Sequence, residues 1–180
     1  MTASPTDVLT FWREAGPDKW FNKNAAFDDA IRSRFLETYE AAAAGKLFDW
    51  ESTADGALAL TIVLDQFPRN IFRNDPRTFA TDPLAREVAG RALARGFDRG
   101  RPITDQQFFY LPFEHSEELA DQERCCALFT AAGDADLLKW ARLHEDIIRR
   151  FGRFPHRNKV LGRATTPEEQ AFLDGGGFAG

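Results

Sequence analysis

The stretch FGRFPHRN, residues 151–158, gathers two arginines, a histidine and an asparagine around two phenylalanines and a proline. Guanidinium groups make planar, two-pronged hydrogen bonds to carboxylate or phosphate, and imidazole transfers protons near neutral pH, so the turn is suited to holding or processing an anion. Arg149, Arg150, Arg153, Arg157, Lys159 and Arg163 form one basic run with His156 among them. Such runs are usually solvated faces, but the Pro and Phe content here argues for a packed turn. A short echo, FPRN at 67–70, places Arg69 and Asn70 just after an apolar helical stretch with Asp65 at its C-terminal end. A carboxylate at that end meets the partial negative charge of a helix C-terminus, and Arg69 or Arg73 is the expected compensating partner. A third polar block, PFEHSEE at 112–118, is expected to put Glu114, His115, Glu117 and Glu118 in the opening turn of a helix. Carboxylates are favoured there, and a neutral imidazole able to relay a proton would be held. His144 shares an apolar stripe with Leu137, Trp140, Ala141, Ile147, Ile148 and Phe151 and is expected to point inward, as a core histidine or as part of a buried polar site.

Together the FPRN, EHSE and FPHRN segments predict one polar pocket between helices. Arg69, Arg153 and Arg157 would bind the charge of a small phosphate- or carboxylate-bearing molecule, with Asp65, Asn70, His144 and Asn158 as further ligand-binding residues. If the site is catalytic, His115 or His156 transfers the proton and Glu117 orients it. No nucleophile stands out, so water would attack in a hydrolytic or phosphate-handling reaction. Two other readings remain open: a helical module that holds a peptide or protein partner in a groove, and a buried Arg, Asp, Glu and His network that only locks the architecture. The sequence has no glycine-rich phosphate loop, no G-x-S-x-G elbow, no H-E-x-x-H, no Glu-x-x-His pair and no cysteine–histidine zinc spacing, and no metal or cofactor is expected.

Helices must position these groups. Capping residues precede proline or acidic first turns at Ser4-Pro5, Asp82-Pro83 and Thr166-Pro167. Thr104 with Gln107 reads as a capping box leading into a short helix that ends near Pro112, with the next helix over 113–132 and another over 134–151 across Gly133. Phe27, Ile31, Phe35 and Tyr39 lie at helical spacing in a segment that stops at Gly45, and residues 55–66 are apolar on nearly every side. No strand alternation appears, so the reading is all-α: seven or eight helices in a single domain over 1–174, with a flexible glycine-rich tail over 175–180.

With 180 residues and 43% hydrophobic content the chain is long enough to bury a core, and 17 Phe against two Tyr make that core rich in rings without polar handles. The net charge of −5 argues against a nucleic-acid surface, so any cationic patch must be local. Cys125 and Cys126 are neighbours on a helix, where a bridge would be strained, which fits a reducing compartment. The N-terminus has no cationic leader followed by an apolar run, and ALALTIVL at 57–64 is too short to span a bilayer, so a cytoplasmic protein without membrane partners is expected.

Three blocks, LDQFPRNIFR at 64–73, FFYLPFEHSE at 108–117 and FGRFPHRNKVLGRATTPEEQAFL at 151–173, resemble in order those of the bacterial family catalogued as domain of unknown function 924. The resemblance extends to TDPLA at 81–85 and His144. It implies an all-helical fold similar to tetratricopeptide-repeat superhelices and supplies no activity. Asp65, Gln66, Arg69, Asn70, His115, Glu117, Arg153, His156, Arg157 and Asn158 all fall inside its blocks.

Overall fold

Two of the three expected helix starts follow their capping residues, Ser4 and Thr166; at Asp82-Pro83 the helix includes Asp82, with Thr81 at the N-cap position and no side-chain cap. A computed structural model gives the architecture and describes residues 2–178; every regular element among them is helical. α1 (Pro5–Ala15) opens on Ser4, whose hydroxyl accepts the Asp7 N–H while the Asp7 carboxylate accepts the Ser4 N–H. This reciprocal pair satisfies two donors that a helix start leaves open. After the short α2 (Pro17–Trp20), α3 (Ala25–Ala43) begins at Asn24, whose side chain accepts from Phe27 N–H, and ends before Gly45, where φ is +74°. α4 (Ala54–Asp65) buries ten of its 12 residues. An apolar surface running right round a helix has to be enclosed, and α1, α3, α6 (Asp82–Ala94) and the short α5 (Phe67–Ile71) pack around it.

α7 (Ile103–Glu114) departs from the expectation at both ends. Thr104 lies inside the helix rather than capping it, and the carbonyl of Pro102 accepts the N–H groups of Asp105 and Gln106. At the other end Pro112 does not stop the helix, which continues to Glu114. A proline two residues from a terminus removes one bond near the fraying end, and the buried Phe113 beyond it favours the extra turn. α8 (Leu119–Ala132) therefore starts later than expected, with Glu118 at its N-cap position. α9 (Ala135–Phe151) is capped by Asp134 and packs on α8 across Gly133, whose φ of +75° is the left-handed conformation that suits glycine. α10 (Pro167–Asp174) opens on the capping box of Thr166 and Glu169. Among the described residues eight of the ten α-helices have eight or more residues, with short 3-10 turns at Phe48–Ser52, Pro76–Phe79 and Pro155–Arg157.

The chain resolves into two units. The first is the chain through Arg73 with Arg77–Pro112, and the second is Asn74–Pro76 with the chain from Phe113 onward. In the first unit, Trp12 stacks on Trp20 with ring centroids 5.9 Å apart and meets Phe67 and Phe108 at 5.8 and 5.5 Å. In the second, Ile147, Ile148 and Phe154 form a buried cluster against which Leu119, Phe151, Phe172 and Phe178 pack. Of the tail expected over 175–180, Gly175, Gly176 and Gly177 donate to the last carbonyls of α10, and Phe178 lies with its ring centroid 4.5 Å from that of His144. Residues 179 and 180 lie outside the described residues. Among the described residues no helix is long and apolar enough to cross a membrane.

Candidate functional site

In the second unit α9 ends at Gly152, φ +67°, and the chain enters the FPHRN turn, whose residues 155–157 form one 3-10 turn. Phe154 anchors it at 0% exposure. Its backbone N–H donates to Glu117 Oε1 at 2.8 Å, and its carbonyl accepts from Arg163 at 3.1 Å. Arg163 also grips Glu117 with both terminal nitrogens, at 2.7 and 3.0 Å. Burial by itself would raise the Glu117 carboxyl, but Arg163, the Phe154 N–H and Arg157 more than offset it and hold the group below the usual carboxylate range. Arg153 makes a two-pronged pair with Glu169 at 2.6 and 2.8 Å. Glu169 takes two further bonds, from Asn158 Nδ2 at 3.1 Å and from its capping partner Thr166 N–H at 2.8 Å. With Arg153 as the largest cause, these bonds pull the Glu169 carboxyl down to about 2.

The imidazoles occupy a different setting. His156 and His144 both lie against the rings of Phe154 and Phe178, with His156 centroids 5.5 and 5.2 Å from those two rings. Desolvation, helped by the positive charge of Arg157, pushes His156 down to about 3, so its ring is neutral at physiological pH. Its Nδ1 is buried without a hydrogen-bond partner among the described residues, as are Oδ1 of Asn158 and Nε of Arg163. Arg157 lies over the Phe154 ring at 4.6 Å and donates to the His115 carbonyl at 2.9 Å. His144 Nδ1 is 2.9 Å from the Trp140 carbonyl and 3.4 Å from Glu114 Oε1. Both are acceptors, so Nδ1 carries the proton.

His115 corrects one expectation. It follows the C-terminus of α7 instead of opening a helix, so the argument from a helix N-terminus does not apply to it. Glu117 differs as well: its bonds run to Arg163 and the Phe154 N–H, and these tie the 115–118 connection to the FPHRN turn.

The FPRN residues lie in the first unit. Asp65 ends α4 at 1% exposure and accepts from Gln66 Nε2 at 2.7 Å. Arg69 lies 3.5 Å from the Asp65 carboxylate and pairs with both oxygens of Asp82 at 2.9 and 3.1 Å. Burial alone would lower the Arg69 pKa, but Asp82 and Asp65 raise it, so the guanidinium stays charged. Asn70 donates to Asp28 at 2.8 Å, and Arg73 pairs with the same carboxylate. This knot ties α5 to α3, α4 and α6. The compensation expected for Asp65 is present, and Asp82 takes a larger share of Arg69 than Asp65 does.

Sequence reasoning passed over Glu169, Asp82 and Asp28 as partners. Glu169 and Asp82 were visible only as helix-start acids, and nothing local marks Asp28, which lies 42 residues from Asn70. Cys125 is buried beside Glu114, and the Cys126 thiol donates to Glu145 at 3.2 Å. Among the described residues no group of three or more His, Cys, Asp or Glu side chains is arranged to hold a metal ion.

The family model described as "Bacterial protein of unknown function (DUF924)" matches residues 8–177. A solved structure, a protein of unknown function from Agrobacterium tumefaciens designated ATU0120, is similar over 95% of this chain and 97% of its own, with 48% identity and a TM-score of 0.92. Among curated proteins the chain has no match. The chain belongs to the DUF924 family.

Proposed function

We propose that this member of the family binds a small anionic molecule at the FPHRN turn of its second unit, without hydrolysing it. The observation that carries the reading is the pair of buried, unpartnered polar atoms on that turn, His156 Nδ1 and Asn158 Oδ1, beside the positive charge of Arg157. A buried polar atom without a partner costs about 1–3 kcal/mol, which a ligand carrying a hydroxyl beside its phosphate or carboxylate would recover. Neutral His156 then serves as a hydrogen-bonding partner and Arg157 as the source of field. Catalysis fits poorly, because a histidine held near 3 is a weak base at neutral pH and lacks the imidazolium proton a general acid would donate.

A second reading rests on α9. Trp140 and Leu143, 51% and 37% exposed and one turn apart, present an apolar pair that a protein or peptide partner would cover.

The test is a thermal-shift screen with phosphates, sugar phosphates, hydroxycarboxylates and nucleotides on the wild type, Arg157→Ala and His156→Phe. His156→Phe keeps a ring against Phe154 and Phe178 while removing both nitrogens. The reading requires a compound that raises the melting temperature of the wild type and leaves both variants unmoved. It fails if no compound shifts the wild type while Arg157→Ala lowers its melting temperature by several degrees. That outcome would make the turn an architectural clasp.

A further inference from the structure

We infer that the cleft between α1 and α3 in the first unit is a separate binding site, for an aromatic monocarboxylate. The cleft is open to solvent on one side and has a volume of about 450 Å³, inside the usual range of small-molecule sites. Phe11 and Phe27 line it and stack on one another, with centroids 5.5 Å apart and planes within 8°, so the cleft offers a rigid apolar surface. Ala30 on α3 adds a small, half-buried side chain to the same lining.

Charge sets the other half of the specificity. Lys19 and Arg34 line the same cleft with Glu14, two cations against one carboxylate, which matches a monoanion better than a polyphosphate. The Arg34 guanidinium lies over Phe11 at 4.7 Å and over Phe35 at 5.4 Å. No hydrogen bond or ion pair holds Arg34 among the described residues, although its charge reaches Asp7 and helps to lower that carboxyl. Arg69, Arg153 and Arg163 are each bound to acids of their own unit, so Arg34 is placed differently from them. Asn24, the cap of the 19-residue α3, also borders the cleft and adds the positive end of that helix. A planar ring lying along the wall of Phe11, Phe27 and Ala30, with its carboxylate toward Arg34 and Lys19, uses these features together.

The experiment is calorimetric titration of the full chain with 2-naphthoate and, in parallel, with the neutral 2-naphthamide. Saturable one-to-one binding is expected, at least tenfold tighter for the acid. Arg34→Gln should weaken the acid at least tenfold and leave the amide unchanged, and Ala30→Phe should abolish both by filling the cleft. Arg34 is solvent-exposed and Ala30 half-buried at the cleft, and the helical circular dichroism of each variant checks that it folds. Equal affinities for acid and amide, an undiminished acid affinity in Arg34→Gln, or no saturable binding would overturn the inference. His156→Phe should leave naphthoate binding intact; a loss there would place the binding at the other site and overturn the assignment to this cleft.

Discussion

Replacing Glu169 by glutamine removes the charge on which four donors converge: Nε and one terminal nitrogen of Arg153, Nδ2 of Asn158 and the Thr166 N–H. The glutamine keeps the shape and one acceptor oxygen, but it turns an NH2 group toward donors. A carboxyl held at about 2 instead of 4.5 corresponds to at most about 3 kcal/mol of stability at neutral pH, and screening at the partly exposed Arg153 brings this to about 2–3 kcal/mol. Because the folded pKa is depressed, that stability is fully present above 4.5 and is lost as pH falls from there through about 2. Hydrogen exchange read by mass spectrometry isolates the effect, since the amides of residues 153–170 report local opening of the turn and α10. At pH 7, Glu169→Gln should raise their exchange by roughly 30- to 150-fold, the equivalent of about 2–3 kcal/mol. Normalised for the intrinsic rate, the excess should shrink steadily as the pH falls from 4.5 toward 2. An increase below threefold at pH 7, or an excess equally large at pH 2.5, would refute the account of Glu169 as the charged centre of this turn.

In the first unit, Arg69→Met leaves Asp82 and Asp65 buried beside an apolar side chain and should cost about 3–5 kcal/mol in urea denaturation, part of it recovered by adding Asp82→Leu. Gly56→Ala should lower the melting temperature by many degrees, because its Cβ would lie 2.1 Å from the Trp50 carbonyl oxygen; Gly133→Ala meets nothing within 4 Å and should cost only about 1 kcal/mol for its left-handed φ. The His156 ring signals should not titrate between pH 8 and 5 in NMR, since its folded pKa lies near 3. Its contribution to stability is complete above the ordinary 6.5 and falls away as the pH drops toward 3. Cys126, pushed up to about 12 by burial and Glu145, should react with a disulfide reagent at pH 7.5 far more slowly than free cysteine.

The helix inventory was legible in the sequence because its signals are local. Ser4 with Asp7 and Thr166 with Glu169 are contiguous capping boxes, and the apolar circumference of 55–66 needs no tertiary knowledge to be read as a buried helix, which the structure has at Ala54–Asp65. Pro112 misled because a proline's effect depends on what lies beyond it, and here the burial of Phe113 carries the helix past it to Glu114. The sequence by itself determined that Arg69 follows Pro68 just past a buried helix and that Arg153, His156, Arg157 and Asn158 flank Pro155 just past another helix; the first of these segments is itself a short helix. Only the tertiary structure decided their partners: Asp82 for Arg69, Glu169 for Arg153 and Arg163 for Glu117. An arginine's reach exceeds one helical turn, and many acids compete for it within that radius. Which one it meets is fixed by how distant segments pack, and residues 13, 16 and 46 positions apart carry no mutual mark in the chain.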